Sequence, residues 1–498
     1  MRADILRNAA SNFAGGALPA LVTIVTLPIT LSYLGTPYYG IFTLIMAIVG
    51  YFALLDVNVT AGSVKFLAEY HADDQHEKSC QVVTLGLYLY AGIGLLGCIG
   101  IALAAPWLVH DVFNIADFRE PEALTSLRIA AVAFFFSQLQ SYLQSIPQGL
   151  GRYDISGRYE VMFGTIVPLL TVAVLLAGGH LVAVVLFRTL ASMVNVYMLW
   201  RMVRKLMPTF AWQFPERALA RAVFGFSGFA YLKRIASISG EQADKLIIGA
   251  LVNMRALTYY TIPYTLTGRV FSLINRLGAV MFPMASALAA RGEVDKLNEI
   301  YLVATRYTIY LNGALSVLLI VTGHTALQLW VGEAIANQSA AILALLAASL
   351  FLDSLTNLPT QITDGLGHPH ITGGYAVTRG LLGALLSFVF VSKMGIFGAA
   401  LAHFILSVTM TTAFLLHVHR KTISVPLLTV VAKSIVPTLF HLSWIGAVGW
   451  GVQYALFPSV IGGVLAGLAM AALMLGVGVR FILRPQERTA VFTKLGWR

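Results

Sequence analysis

Long apolar stretches alternate with short polar connections along almost the whole chain. Stretches without a charged residue run between Arg7 and Asp56, Lys78 and Asp111, Glu160 and Arg188, and Lys433 and Arg480. Each is longer than the roughly 20 residues that an α-helix needs to cross a bilayer. The pattern predicts an all-α polytopic membrane protein.

Splitting the apolar stretches at glycine, proline and clusters of charge predicts about fourteen transmembrane helices. Their predicted ranges are 12–34, 40–64, 81–105, 125–147, 161–177, 181–203, 221–251, 257–288, 301–323, 338–359, 371–391, 396–418, 428–452 and 459–480. The first stretch continues to Leu34, which is too long for the apolar part of a signal peptide, so we expect a retained first span.

A thirteen-residue segment occurs twice, with 216 residues between equivalent positions. The copies, 149–161 and 365–377, carry the same residue at seven positions. Six predicted spans separate them, and an even number of spans returns the chain to the same side of the membrane. The repeat therefore predicts two parallel, pseudo-symmetric six-helix lobes followed by two further helices, an organisation typical of transporters.

The repeat and the span pattern together predict four regions. They are an N-terminal lobe with spans one to six (1–205), a cytoplasmic linker (206–220), a C-terminal lobe with spans seven to twelve (221–421), and the last two spans with a cytoplasmic tail (422–498).

Composition supports a membrane protein and gives its predicted orientation. Hydrophobic residues make up 58% of the chain and charged residues 11%, with a net charge of +11. If the N-terminus is cytoplasmic, the inner connections and adjoining span ends hold 22 of the 33 Lys and Arg residues, and the outer ones hold four. Cytoplasmic loops retain positive charge, so we predict that both termini are cytoplasmic. The same asymmetry explains much of the net charge without a nucleic-acid partner.

Several charged residues fall inside predicted spans. The bases are Arg188, Lys233, Arg234, Lys245, Arg269, Arg276 and Lys433, and the acids are Asp56, Glu241, Asp244 and Asp353. One charge at the bilayer centre costs roughly 2.5 to 3.5 kcal/mol, so these side chains are not expected to face lipid. They predict a wet cavity with net positive charge, or internal pairing such as a cluster of Glu241, Asp244 and Lys245.

Arg269 and Arg276 form the strongest predicted binding site. They are seven residues apart in the eighth span, which places them on one helical face. Neither has an acid three or four residues away. Because guanidinium groups bind phosphate oxygens through a planar fork, the pair is suited to an anionic headgroup. The alternative is a structural role at the cytoplasmic or lobe interface.

Further candidates are predicted with the same reasoning. Arg188, with Asn195 seven residues later, and the pair Lys233 and Arg234 are candidate substrate contacts, although the lysine and arginine could instead extend toward a membrane interface. Asp56 and Asp353 are candidates for coupling transport to a proton or another cation. The alternative for them is a carboxylate satisfied by nearby Ser, Thr or Asn.

The sequence shows no motif for an enzyme, a metal or a cofactor. It contains no P-loop, no Gly-x-Ser-x-Gly segment and no zinc-binding helix. His368 and His370 are separated by Pro369 and have no clustered third ligand, so a metal site is not expected. We therefore predict a protein that is not an enzyme and needs no cofactor.

Short motifs resemble the polysaccharide flippases of the multidrug, oligosaccharidyl-lipid and polysaccharide exporter superfamily. The motifs are Asn12 with Gly15 and Gly16, Leu34-Gly35, Tyr39-Gly40-Ile41-Phe42, Asp244-Lys245-Leu246-Ile247-Ile248-Gly249, and the repeated glycine-rich segments before spans five and eleven. The resemblance implies a flippase that moves an undecaprenyl-pyrophosphate-linked glycan across the bacterial inner membrane. It also implies contact with membrane lipids and makes polysaccharide-assembly proteins candidate partners.

Three alternative functions stay open at this point. A peptidoglycan-precursor flippase would share the fold and an anionic lipid substrate. A cation-coupled multidrug exporter of the same superfamily would need a more acidic cavity than seven bases against four acids provide. A membrane polysaccharide polymerase or ligase would be expected to present a sizeable outer loop with catalytic residues, and no predicted outer loop exceeds about twenty residues.

Overall fold

The computed structural model describes residues 2–56, 59–115, 118–223, 242–278, 281–456 and 459–483. Side chains are described from residue 16 onward in these ranges, apart from those of residues 273, 276, 277 and 456. Every regular element in the described ranges is helical. The predicted all-α class is confirmed.

The described helices are numbered here in chain order. They are α1 (Arg2–Phe52), α2 (Val59–Ala72), α3 (His76–Trp107), α4 (Glu120–Gly149), α5 (Tyr153–Leu176), α6 (Leu181–Leu206), α7 (242–251), α8 (Met254–Gly278), α9 (Met281–Ala290), α10 (Val294–Val331), α11 (Glu333–Ser354), α12 (Asn357–Gly365), α13 (Pro369–Lys421), α14 (Leu427–Val430), α15 (Val436–Trp450) and α16 (Val460–Val477). Short 3₁₀ or π-helical turns extend α1, α3, α14, α15 and α16, and residues 217–223 are also helical.

Ten helical stretches in the described ranges are long and apolar enough to cross a membrane. Two of them, in α1 and α13, are 40 and 53 residues long. That is about twice the length of one crossing, and each contains a bend, at Gly35 and at Gly395. The chain is thus a multi-pass membrane protein, while the count of fourteen spans stays a prediction.

One predicted span is interrupted where the sequence pattern suggested a single helix. The predicted span 40–64 leaves α1 through a 3₁₀ turn, Ala53–Leu55, and resumes as α2. Asp56 lies at this break in an extended conformation. The predicted span 257–288 contains α8 and α9, and residues 279 and 280 between them lie outside the described residues. Hydropathy reports the apolar character of such segments but not a local change of backbone direction.

The helices form two compact units, each with its own core. The N-terminal unit comprises Gly15–Thr258 and Ala376–Ala399. Its main core cluster joins α2, α3, α4 and α6 around Tyr90, Tyr142 and Leu199. On its other helices, Asp244 of α7 accepts a hydrogen bond from the Ser387 hydroxyl of α13. Lys245 donates to Gln242, and Glu241 lies outside the described residues.

The segment 206–220, which was predicted as the linker, packs along the N-terminal unit. Phe210 is buried in the core cluster, and Trp212 stacks on Trp200 with ring centroids 5.9 Å apart. The backbone N–H of Gln213 donates to the Thr84 hydroxyl on α3 at 3.4 Å. Burial of these aromatic rings anchors a segment that its prolines and charges mark as a loop.

The C-terminal unit comprises Met1–Ala14, Tyr259–Tyr375 and Ala400–Arg498. One core cluster joins α9, α10, α12 and the end of α13 around Tyr301 and Phe414. A second cluster joins α10, α15 and α16 around Leu442 and Met470. The Tyr310 hydroxyl on α10 donates to the backbone oxygen of Met474 on α16. The last two predicted spans therefore pack against α10.

The repeated segment forms the same turn in both places. Gly151 and Gly367, which are equivalent positions, have φ values of 72° and 87°. Such values are unfavourable for residues with a Cβ, so glycine is needed at this position. Each turn has the same backbone hydrogen bonds, including Arg152 N to Pro147 O at 2.7 Å and His368 N to Thr363 O at 3.0 Å.

Side chains close the two turns in equivalent ways. The Gln148 amide donates to the Ser156 hydroxyl at 3.1 Å. At the corresponding positions, the Thr372 hydroxyl donates to the Asp364 carboxylate at 2.5 Å. The agreement of backbone and side-chain bonding shows that the sequence repeat is a structural repeat. The predicted division into lobes at residues 205 and 221 stays a prediction.

Candidate functional site

Helix α8 carries a row of polar side chains along one face. The row consists of Thr261, Thr265, Arg269, Ser272 and Arg276, which are spaced by three or four residues. This spacing keeps them on one side of an α-helix. A membrane helix with a polar face must direct that face toward protein or water. We call these five residues the α8 polar row.

Both arginines of the strongest predicted pair lie on α8, as predicted from their spacing. The Arg269 side chain is exposed at the molecular surface of the chain, and its backbone oxygen accepts a hydrogen bond from the Ser272 hydroxyl at 2.9 Å. Arg276 belongs to the same continuous helix, and its side chain lies outside the described residues. Thr261, at the other end of the row, is buried.

Arg188 lies in the N-terminal unit, two turns after the start of α6. Its guanidinium is 5.6 Å from the centroid of the Phe42 ring on α1, and its side chain is half-buried. Among the described residues it forms no salt bridge. The aromatic face offsets part of the cost of burying this charge, and the guanidinium retains donors for an anion.

Asn195 lies two turns from Arg188 on the same face of α6, as the spacing predicted. The side chain is buried, and its amide oxygen has no hydrogen-bond partner among the described residues. Lys233 and Arg234, the other predicted substrate contacts, lie outside the described residues.

Asp56 lies at the helix break in the N-terminal unit and is almost completely buried. Its carboxylate accepts a hydrogen bond from the Tyr90 hydroxyl at 2.5 Å. The Tyr90 oxygen in turn accepts from the backbone N–H of Thr60 at 3.3 Å. The Tyr90 ring stacks on Tyr142, with centroids 5.1 Å apart. A carboxyl group, a phenol and a helix N-terminus thus form one buried polar chain.

Asp353 occupies the last turn of α11 in the C-terminal unit, and its side chain is half-buried. Its backbone oxygen accepts a hydrogen bond from the Thr356 hydroxyl at 2.7 Å. The chain turns between α11 and α12 directly after this residue. Each of the two candidate coupling carboxylates therefore lies at or near a break between helical segments.

The C-terminal unit contains a large apolar cavity of about 570 Å³. Its walls come from α8, α9, α10 and α16, and they include Ile274, Met281, Ala304 and Met474. The described lining is almost entirely hydrophobic. A cavity of this kind accommodates an apolar ligand group and has little to offer a charged one.

Sequence reasoning found the charged residues of these sites but missed their surroundings. Thr261, Thr265 and Ser272 could have been found, because their spacing with Arg269 is visible in the sequence. Tyr90 could not, because its contact with Asp56 joins positions 34 residues apart. The apolar cavity also gives no local signal, since its lining residues are ordinary membrane-helix residues.

Comparison with known proteins places this architecture in a family. A model of the family described as polysaccharide biosynthesis protein matches residues 5–289, which is more than half of the chain. The chain belongs to this family. It is also 22% identical over 402 residues to a Shigella flexneri protein named "Putative O-antigen transporter", covering 80% of this chain and 94% of that protein.

Solved structures share the fold of this family member at low sequence identity. The lipid II flippase MurJ in an inward closed conformation has a TM-score of 0.70 at 15% identity, covering 95% of this chain and 99% of that chain. An inward-facing multidrug resistance MATE transporter of the MOP superfamily has a TM-score of 0.65 at 15% identity, covering 82% and 96%. The predicted resemblance to this superfamily is confirmed.

Proposed function

We propose that the protein is a flippase that moves a lipid-pyrophosphate-linked oligosaccharide across the bacterial inner membrane. Transfer would proceed by alternating access through a cationic cavity. Family membership, the named O-antigen relative and the transporter fold support the broad class. The charged side chains within the membrane support the anionic part of the substrate.

The α8 polar row is the single observation that carries this proposal. An arginine on a membrane helix that faced lipid would cost several kcal/mol, yet the Arg269 side chain is exposed on the chain. We infer that it faces water and the substrate. Arg276 lies two turns further along the same helical face. It is proposed to bind the same pyrophosphate group, because two guanidinium groups can share its oxygens.

Arg188, in the N-terminal unit, is proposed separately as a contact with an anionic substrate. It is held over an aromatic ring and forms no salt bridge among the described residues. Such a guanidinium keeps donors available at low desolvation cost. Lys233 and Arg234 are also proposed as contacts, and this proposal rests only on their charge and their position in the sequence.

The apolar cavity of the C-terminal unit is proposed to hold part of the lipid chain. Burial of each methylene group contributes about 0.8 kcal/mol. A polyisoprenoid can therefore gain substantial affinity from a cavity of about 570 Å³. The two kinds of surface, one cationic and one apolar, match the two parts of a lipid-linked glycan.

Asp56 and Asp353 are proposed to couple transfer to a proton or another cation. A buried carboxyl group at a helix break can change its charge together with a change in backbone direction. Tyr90, whose hydroxyl contacts Asp56, would hold the carboxyl group in one orientation. No catalytic role is proposed for these residues.

Reconstitution into vesicles with defined substrates tests the proposal. Fluorescent lipid-pyrophosphate oligosaccharide should move between leaflets much faster than in protein-free vesicles, whereas a quaternary ammonium drug should not be exported. Transfer of the drug alone would overturn the proposed substrate class. Transfer of a lipid-linked peptidoglycan precursor in place of the oligosaccharide would favour the second candidate, which the MurJ-like fold supports.

A further inference from the structure

A cationic pocket in the N-terminal unit is lined by residues that the proposed function does not use. It has a volume of about 500 Å³ and lies between the start of α5 and the end of α6. Arg158 and Tyr159 line it from α5, and Tyr197, Arg201 and Lys205 line it from α6. The volume is in the range of small-molecule sites.

The three bases of this pocket are arranged to receive an anion. Among the described residues, Arg158, Arg201 and Lys205 form no salt bridge. The Arg201 guanidinium donates to the Tyr197 hydroxyl at 2.9 Å, which fixes its orientation and leaves other N–H donors available. Three uncompensated bases around one pocket attract a phosphoryl group.

An exposed apolar row leads away from the pocket along α6. It consists of Leu186, Leu190, Val194 and Tyr197, and the same helical face continues with Arg201 and Lys205. The spacing of three or four residues keeps all six on one side of the helix. The face thus changes from apolar to cationic at a tyrosine, as expected at a membrane interface. A phospholipid has the same order of apolar chain and charged headgroup.

The structural repeat supplies an internal comparison for this pocket. Tyr159 and Arg201 correspond to Tyr375 and His417 in the second copy, 216 residues later. There the Tyr375 hydroxyl contacts the His417 ring nitrogen at 3.2 Å. Gly374 stands at the position that corresponds to Arg158. The second copy therefore lacks two of the three Arg and Lys side chains at the equivalent place.

From these observations we propose that the pocket binds the phosphodiester headgroup of an anionic phospholipid. The acyl chains lie along the apolar row of α6, and Arg158, Arg201 and Lys205 contact the phosphate. This lipid is a bound membrane component and not the transported substrate. The proposal is independent of the proposed function, because it requires no translocation.

A binding measurement on the full-length protein in detergent tests this site. The probe is fluorescent phosphatidylglycerol, with phosphatidylcholine as the reference lipid. Each cation near an anionic lipid surface contributes roughly a fivefold factor, so the double variant Arg201→Gln/Lys205→Gln should bind phosphatidylglycerol about thirtyfold more weakly. The single variant Arg158→Gln should weaken phosphatidylglycerol binding about fivefold. It tests the same site if the double variant does not fold.

The repeat offers a matched control. Arg420→Gln/Lys421→Gln removes the same number of charges at the end of α13, where Lys421 corresponds to Lys205. Binding should change less than about twofold in this control, since only the pocket cations contact the phosphate. Equal losses in both double variants, or no loss in either, would overturn the site. Displacement of the lipid by equimolar glycerol phosphate would assign the pocket to soluble phosphoesters and overturn the lipid assignment.

Discussion

The buried contact between Asp56 and Tyr90 contributes to stability and also involves a carboxyl group that is proposed to couple transport. The phenol donates to the carboxylate at 2.5 Å in a place where neither group is exposed. A hydrogen bond to a charged group contributes about 1.5 to 3 kcal/mol, against about 0.5 to 1.5 kcal/mol for a neutral pair. Loss of the Tyr90 hydroxyl should therefore be measurable as a loss of stability.

We predict that Tyr90→Phe lowers the unfolding temperature more than Tyr142→Phe does. Both substitutions remove one hydroxyl from two stacked rings. Tyr142 loses a bond between two neutral groups, from its hydroxyl to the Val82 backbone oxygen at 3.0 Å. Thermal unfolding of the purified variants measures the difference. Equal losses would contradict a special contribution of the Tyr90–Asp56 contact to stability.

Some of the candidate site residues can be identified from the sequence alone. Asp56, Arg188 and Arg269 stand out because a charged side chain inside an apolar span is energetically costly. Their partners Tyr90 and Phe42 could not be selected, because tyrosine and phenylalanine are common in membrane helices and the contacts are not local.

At the scale of elements, the repeated turn is the most regular feature of the chain. Gly151 and Gly367 have the same positive φ and open space around the position of a Cβ. Substitution by alanine therefore tests backbone strain alone, without a steric clash. The nearby Gly157 lies inside α5, also in open space, and has no such conformation.

We predict that Gly151→Ala and Gly367→Ala each lower stability by about 1 to 2 kcal/mol, the cost of a left-handed residue with a Cβ. Gly157→Ala should be neutral or raise stability by up to about 1 kcal/mol, because alanine favours a helix. Denaturant unfolding of the three variants provides the comparison. A loss at Gly157 as large as at Gly151 would contradict this account of the turn.

Helix positions followed largely from hydropathy, whereas bends and breaks did not. The repeat located the turns at Gly151 and Gly367 because glycine is needed there. The break at Asp56 was missed. Apolar residues continue on both sides of it, so composition alone gives no signal of a change in backbone direction.

At the scale of the whole molecule, the proposed function needs both a cationic and an apolar surface. The apolar cavity can be tested by filling it. We predict that Ala304→Phe, on its wall, slows transfer of a long polyisoprenoid-linked substrate severalfold and affects a short-chain analogue less. A phenylalanine side chain occupies space that the proposed lipid chain requires.

Ala447→Phe is the control for this substitution, because Ala447 is exposed on α15 and does not line the cavity. Leaflet transfer of both substrates by both variants would be measured in vesicles. Equal slowing by the two variants, or equal slowing of long and short substrates by Ala304→Phe, would contradict a role of the cavity in binding the lipid chain.

The most direct measurement of the central claim is leaflet transfer of fluorescent lipid-pyrophosphate oligosaccharide by Arg269→Gln, Arg276→Gln and the control Arg291→Gln. Arg291 is an exposed base in the turn after α9. Loss of a charge-assisted bond of about 1.5 to 3 kcal/mol predicts at least a tenfold reduction for each α8 variant and little change for the control. Transfer at the wild-type rate by both α8 variants would contradict the proposed pyrophosphate site.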